Sequence, residues 1–285
     1  MKIRFHSNIE KFLNFCHPFL VEKEPENNLL FGILNTLKQN YWAYSEKESP
    51  VLISVTDNHI LKLISVRTPP FNQIISYTND MKTIPLLVNK LSGKRVDIPG
   101  ILGFKEGALK FAKLWAEKNS KKYSLEMNER IYLLNKVNPS LIDLNDFETA
   151  KVSDKNLVCE WYKAFILEIF PTTSLNEIKN GQKRMILYLS QNMVYVLKVK
   201  GKIVSMAKKA GITPNGQTIN AVYTPPNLRR KGYATELVAK LSQTILDEGK
   251  KYCFLFTDLK NPTSNKIYQT IGYKPVIDID VYKFT

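Results

Sequence analysis

Apolar positions recur along this chain with two periods, and the switches between them mark its elements. Residues 156–170 carry an amphipathic helical pattern that stops at Pro171, since proline has no N–H to continue the ladder. Ser174 with Glu177 three positions later has the spacing of a reciprocal N-cap, for a second helix reaching about Leu189. Two short strands, 193–199 and 202–210, flank Lys200-Gly201, a hairpin turn sequence. A third strand, 219–224, ends at Pro225-Pro226. Ala234, Leu237, Val238, Leu241, Ile245 and Leu246 then share one helical face, and Gly249 supplies a stop just past the last turn. The unbroken apolar run Cys253-Phe254-Leu255-Phe256-Thr257 is that of a strand buried on both faces. Strand, helix and strand of these lengths predict a parallel pair with a right-handed crossover. Asn261-Pro262 opens a short helix ending at Gly272, and 276–284 supplies closing strands.

The first half shows strands at 41–45, 50–55 and 60–66 and helices at 79–91 and 105–118. Turn residues across 136–146 place a boundary, so the chain is expected to hold an N-terminal α/β domain, 1–140, and a second α/β domain, 141–285. One pentapeptide points to duplication: Val66-Arg67-Thr68-Pro69-Pro70 parallels Val222-Tyr223-Thr224-Pro225-Pro226. After the first copy, 73–78 holds no glycine and no cationic turn. The N-terminal domain therefore reads either as an independent α/β unit or as a degenerate copy without the anion site described next.

Chemistry concentrates where the second copy continues as Asn227-Leu228-Arg229-Arg230-Lys231-Gly232-Tyr233-Ala234. A strand, a basic glycine turn and a helix N-terminus form an anion cradle. First-turn N–H groups lack partners within the helix, the helix dipole places positive charge there, and glycine lets a ligand approach the main chain. No G-x-x-x-x-G-K-[ST] occurs, and this turn has one glycine where a dinucleotide fingerprint needs three.

The spacing Arg229-x-x-Gly232-x-Ala234 resembles the acetyl-CoA signature of the GNAT family of N-acetyltransferases, over roughly 145–285. The resemblance implies a C-terminal GNAT fold, a mixed sheet whose two central parallel strands splay apart, flanked by helices. It places the second domain as the active copy of a two-domain bacterial type. It implies that main-chain groups of Val222, Tyr223 and Thr224 face the pantetheine arm of acetyl-CoA. Arg229, Arg230, Lys231, Gly232, Tyr233, Ala234 and Thr235 would wrap the diphosphate, chiefly through backbone N–H groups. Asn261, Asn265 and Tyr268 share a helical face. In the family, asparagines at the first two positions bond the pantetheine and phosphate region, and a tyrosine at the third points its hydroxyl at the CoA sulfur. Tyr268 is thus the expected general acid to the departing thiolate, although a tyrosine packed in the core accounts for the same residue. Asp258 and Glu168 are candidate bases, and each reads equally well as a structural or solvated carboxylate.

Composition narrows the field. The chain has 285 residues, 44% hydrophobic and 11% aromatic, which is globular. No stretch of about 18 uncharged apolar residues spans a membrane. The segment 1–6 lacks a signal-peptide core, and three widely spaced cysteines, Cys16, Cys159 and Cys253, read as reduced thiols, so a cytoplasmic protein is expected. No Cys/His cluster has metal-ligand spacing, and no metal is expected. The net charge of +15 is spread evenly, with 20 basic against 13 acidic side chains in 1–140 and 21 against 13 in 141–285. A nucleic-acid partner is disfavoured, because such proteins concentrate charge in a stripe. The expected activity is acetyl-CoA-dependent transfer of an acetyl group to a primary amine, on a small molecule or peptide, by direct attack. Two alternatives stand beside it: a non-catalytic acyl-CoA-binding or regulatory module, and an aminoacyl-tRNA-dependent transferase of related fold. The second generally dispenses with the CoA turn that this chain retains. The sequence assigns neither acceptor nor oligomeric state.

Overall fold

A computed structural model describes residues 1–94, 96–141 and 145–285. The first half runs β1 (Lys2–His6), α1 (Ile9–Glu22), α2 (Asn28–Gln39), β2 (Val51–Asp57), β3 (Ile60–Arg67), β4 (Gln73–Ile75), α3 (Thr83–Ser92), β5 (Gly100–Phe104), α4 (Lys105–Asn119) and β6 (Tyr123–Leu134). The second half repeats that order: β7 (Asp146–Thr149), α5 (Lys155–Ile169), α6 (Leu175–Ser190), β8 (Val194–Val199), β9 (Lys202–Ile212), β10 (Gly216–Tyr223), α7 (Tyr233–Asp247), β11 (Tyr252–Asp258), α8 (Pro262–Ile271) and β12 (Lys274–Phe284). The fold is mixed α/β, and the duplication hinted at by one pentapeptide extends through every element.

All twelve strands join one sheet, in the order β1-β2-β3-β4-β5-β12-β6-β11-β10-β9-β8-β7. The last strand of each half is exchanged. β12 pairs with β5 of the first half, β6 pairs with β11 of the second, and the two exchanged strands pair with each other along the middle. The segment 276–284 is therefore part of one long strand rather than several, and its register runs into the first half. Part of the expected boundary, 142–144, lies outside the described residues.

Four hydrophobic clusters cover the sheet. Phe12, Leu20, Leu34 and their neighbours on α1 and α2 pack on one face of the first half, and Ile84, Phe111 and Trp115 on α3 and α4 pack on the other. In the second half, Val158 and Met185 on α5 and α6 cover the first of these faces, while Leu237, Leu241 and Ile271 on α7 and α8 cover the opposite one. The halves are also clamped together. A side chain at Gly32 on α2 would meet the Gly211 main chain on β9 at 2.9 Å, so two backbones cross without side chains between them. Glu24, 4% exposed, accepts from the Thr213 hydroxyl and, at 2.8 Å each, from the N–H and the carboxamide of Asn215.

The strand expected at 41–45 is a series of turns. Asn40 Oδ1 accepts from Trp42 N at 3.0 Å, and Ser45 Oγ accepts from Glu48 N at 3.1 Å. These side chains take the N–H groups a ladder would need. Cys16 and Cys253 are buried free thiols, both pushed up to about 12 by burial. Among the described residues no helix is long and apolar enough to cross a membrane.

Candidate functional site

The site is created where two neighbouring strands stop pairing. β10 and β11 run parallel through Gly216↔Tyr252, Gln217↔Cys253 and Thr218↔Phe254, and then part. Each keeps its outer neighbour: β10 still pairs with β9 at Tyr223↔Met206, and β11 pairs with β6 as far as Asp258↔Glu129. A bulge turns β10 away. Its register slips between Asn220 and Tyr223, and Ala221 sits at φ 52°, in the left-handed region. Edge groups of residues 219–223 and 255–258 thus face a gap.

The cradle lies beside that gap. After a single 3₁₀ turn at Pro226–Leu228, Arg230 and Gly232 adopt left-handed φ of 63° and 82°, and Gly232 caps α7. The first N–H to find a partner is that of Glu236, bonded to Gly232 O at 3.0 Å. Among the described residues, no bond engages the N–H groups of 230–235. An ideal Cβ at Gly232 meets nothing within 4 Å, so space stands open over the turn. Alternating left-handed backbone with unspent donors at a helix N-terminus is an anion nest. An open groove continues from it between α7 and α8, lined by Thr235, Pro262, Thr263, Lys266, Ile267 and Thr270. Lys266 and Thr263 escaped the sequence reading, which had followed only the asparagine and tyrosine face of that helix.

The side chains around the cradle are more occupied than the main chain. Arg229 Nε donates to Thr224 O at 2.9 Å, and its terminal nitrogen donates to both Glu168 oxygens at 2.7 and 2.8 Å. Its guanidinium also lies 5.7 Å from the centroid of the Tyr223 ring. Arg229 therefore braces the strand end against α5, Glu168 is held in an ion pair, and Arg230 and Lys231 are exposed. The Thr224 hydroxyl is 2.8 Å from that of Ser205, while Val222 is partly buried against the α7 core. Tyr233 and Ala234 are half-buried at the start of α7.

On α8, Asn261 caps the helix by accepting from Ser264 N at 3.0 Å. Asn265 donates to Asp258 O at 3.0 Å and to Asn261 O at 2.7 Å, and accepts from the Tyr132 hydroxyl at 3.0 Å. It ties α8 to the end of β11 and to β6. Tyr268, 8% exposed, packs between the Tyr132 and Tyr273 rings. Burial pushes its hydroxyl up to about 12, so it stays protonated at neutral pH. No hydrogen bond among the described residues engages that hydroxyl.

Asp258 ends β11 on the opposite face from Tyr268, its carboxylate accepting from Lys260 N at 2.8 Å. Beside it in register stands Glu129 of β6, a residue the sequence reading passed over. Burial, with the Asp258 charge adding to it, pushes the Glu129 carboxyl up to about 7. Among the described residues no group of three or more His, Cys, Asp or Glu is placed to hold a metal ion.

Among the described residues the first half builds no equivalent cradle. Its turn before α3 is closed by Asp80, whose Oδ1 accepts from Lys82 N at 3.1 Å and whose carbonyl accepts from Thr83 N at 3.1 Å. A carboxylate stands where an anion would have to approach, and Ile75 fills the space over Gly103.

The fold has counterparts among known proteins. Residues 199–280, which include the gap, cradle and groove, match the FR47-like protein family. No curated protein matches the sequence. Among solved structures, a Drosophila protein superposes with a TM-score of 0.65 at 12% identity, covering 99% of this chain and 98% of its own. A GCN5-related N-acetyltransferase from Sphaerobacter thermophilus gives 0.61 at 12% identity, over 98% and 94%. A GNAT-family acetyltransferase from Colwellia psychrerythraea gives 0.55 at 12% identity, over 100% and 99%. The architecture shared with the last two extends through both halves of the chain.

Proposed function

From a chain with the GNAT fold throughout and an FR47-like segment at 199–280, we propose an acyl-CoA-dependent N-acyltransferase, with acetyl-CoA as donor and a primary amine as acceptor. Units 1–140 and 141–285 are two GNAT-like domains that share the sheet, and the second carries the site. One observation supports this reading above the others: the parting of β10 from β11 lies next to a run of unspent N–H groups under open space at Gly232.

The residues fit the donor. The N–H groups of 230–235 hold the diphosphate, with Arg230 and Lys231 supplying charge and Lys266 available in the groove. Past Thr218 the inner edge of β10 has no strand partner, so the main chain at Val222 is offered to the pantetheine amides, while the Tyr223 carbonyl already accepts from the Ser205 hydroxyl at 3.1 Å. The bound thioester supplies an activated acyl group. Asn261 and Asn265 fix the start of α8, and with it the ring of Tyr268.

Tyr268 meets the leaving sulfur as a hydrogen-bond donor. A thiol ionises near ~8.5, while this phenol is pushed up to about 12. Full proton transfer from phenol to thiolate would therefore run uphill by more than ~4 kcal/mol. A charge-assisted hydrogen bond asks for no such transfer and offsets the thiolate charge. Thiol release from acetyl-CoA, followed spectrophotometrically across a library of primary amines, tests the assignment. Turnover above the amine-free rate is expected, and none with any amine would leave a binding module.

A further inference from the structure

We infer that Glu129, contributed by the first half of the chain, is the general base that takes a proton from the acceptor amine at the second half's site. The inference rests on the function proposed above and adds to it a residue and a reason for the exchanged strands.

Glu129 stands on β6 opposite Asp258, one strand in from the open end of the gap between β11 and β10. Register places it on the face of the sheet away from Tyr268. Arg130 turns to the other face, where it holds both carboxylate oxygens of Asp278 at 2.6 and 3.0 Å, so the neighbouring cation is spent. On Glu129's own face the flanking side chains are apolar. Ile131 follows along β6, Ile279 stands opposite on β12, and Phe256 lies one alternation along β11. These three also line a narrow cleft roofed by the start of α2 and by Tyr77 of the first half. The charged groups facing this region are Asp258 from β11, Glu26 from the segment before α2, and Lys23, which lies 3.9 Å from Glu26 and over the Tyr77 ring. No hydrogen bond among the described residues engages the Glu129 carboxyl. Its low-polarity seat and the Asp258 charge push it up to about 7, near the pH at which a base both accepts and releases a proton readily.

The internal repeat sharpens the assignment. Across the middle of the sheet one register row reads Phe104, Ile279, Glu129, Asp258. The two positions on the first half's side are apolar, and the two on the second half's side are acidic. The row is built for chemistry only where the cradle is intact. Because β6 is exchanged, the second half borrows its base from the first and is incomplete alone.

An ammonium acceptor gives one N–H proton to the Glu129 carboxylate, and the freed lone pair forms the C–N bond at the thioester carbonyl carbon. The C–S bond breaks with its electrons going to sulfur, held by the Tyr268 hydroxyl. The surplus proton on nitrogen passes to the thiolate, giving amide and free thiol. The Tyr268 hydroxyl, as hydrogen-bond donor, and the Glu129 base act from opposite faces of the sheet, through the gap.

Two probe nucleophiles separate this role from a structural one. Hydroxylamine is already neutral at pH 7, whereas 2-phenylethylamine is protonated and needs a base. E129Q should lower turnover of 2-phenylethylamine by ~10²–10⁴-fold and leave that of hydroxylamine within about threefold, with the acetyl-CoA dissociation constant unchanged by calorimetry. D258N removes the like charge and should move the acidic limb of the pH–rate profile to lower pH. Equal losses on both nucleophiles, or none on 2-phenylethylamine, with acetyl-CoA binding intact, would overturn the role of Glu129 alone. Failure of the wild type to bind acetyl-CoA would overturn the cradle and this inference with it.

Discussion

Replacing Gly232 with glutamate should abolish donor binding while leaving the protein folded. Gly232 is exposed, caps α7 at φ 82°, and has nothing within 4 Å of an added Cβ. The folded chain therefore meets only the cost of an L-residue in the left-handed region, about 1–2 kcal/mol. A carboxylate at the helix N-terminus returns about 0.3–1 kcal/mol through the dipole. The net of about 1 kcal/mol corresponds to a melting shift of roughly 2–4 °C for a chain of this size. In the complex the new carboxylate would lie among the N–H groups that the diphosphate needs. Two like charges about 4 Å apart at an effective dielectric near 20 repel by about 4 kcal/mol, a loss of ~10³-fold in affinity. Thermal melts and calorimetry with CoA measure the two numbers on the same sample. An affinity within threefold of wild type would refute the cradle, and a collapse in melting temperature would refute the claim that the turn is open space.

Tyr268→Phe should lower kcat by about 10–150-fold, equivalent to losing a hydrogen bond of about 1.5–3 kcal/mol to a charged group, with CoA affinity within twofold. With the hydroxyl pushed up to about 12, wild type and variant should show the same alkaline profile below pH 10 in initial-rate assays. Glu24→Leu strips three donors at Thr213 and Asn215 of their acceptor inside the clamp between the halves. Urea unfolding should show a loss of about 3 kcal/mol, and an unchanged midpoint would mean the clamp contributes nothing.

The second half was legible because its signals are local. Ser174 and Glu177 cap each other as their spacing requires, at 2.9 Å for the Ser174 N–H and 3.3 Å for that of Glu177. Lys200 and Gly201 both take left-handed φ, and Asn261 caps α8. The first half was harder. Pro18 interrupts the pattern inside α1, and the aromatic stretch 41–45 reads as strand until the turn-forming bonds of Asn40 and Ser45 are seen. Strand exchange is invisible to any window of sequence. The strand at 123–134 went unread, 276–284 read only as closing strands, and nothing near either says which half each will join. Glu129 was missed for the same reason. Alone it is one acidic residue in a strand, and its raised carboxyl comes from burial, with the charge of Asp258 in the other half of the chain adding to it. Arg229 was legible as part of a motif, while its bonds to Thr224 and Glu168 depend on where α5 packs.

The central claim is that a CoA diphosphate rests on the main chain at the start of α7, beside the gap between β10 and β11. Titrating CoA into ¹⁵N-labelled protein and following backbone amide shifts tests it most directly. The largest changes should fall on 230–235 and on Val222 and Tyr223, with the first-half turn at 76–83 unmoved. Shifts confined to other residues, or none at millimolar CoA, would contradict it.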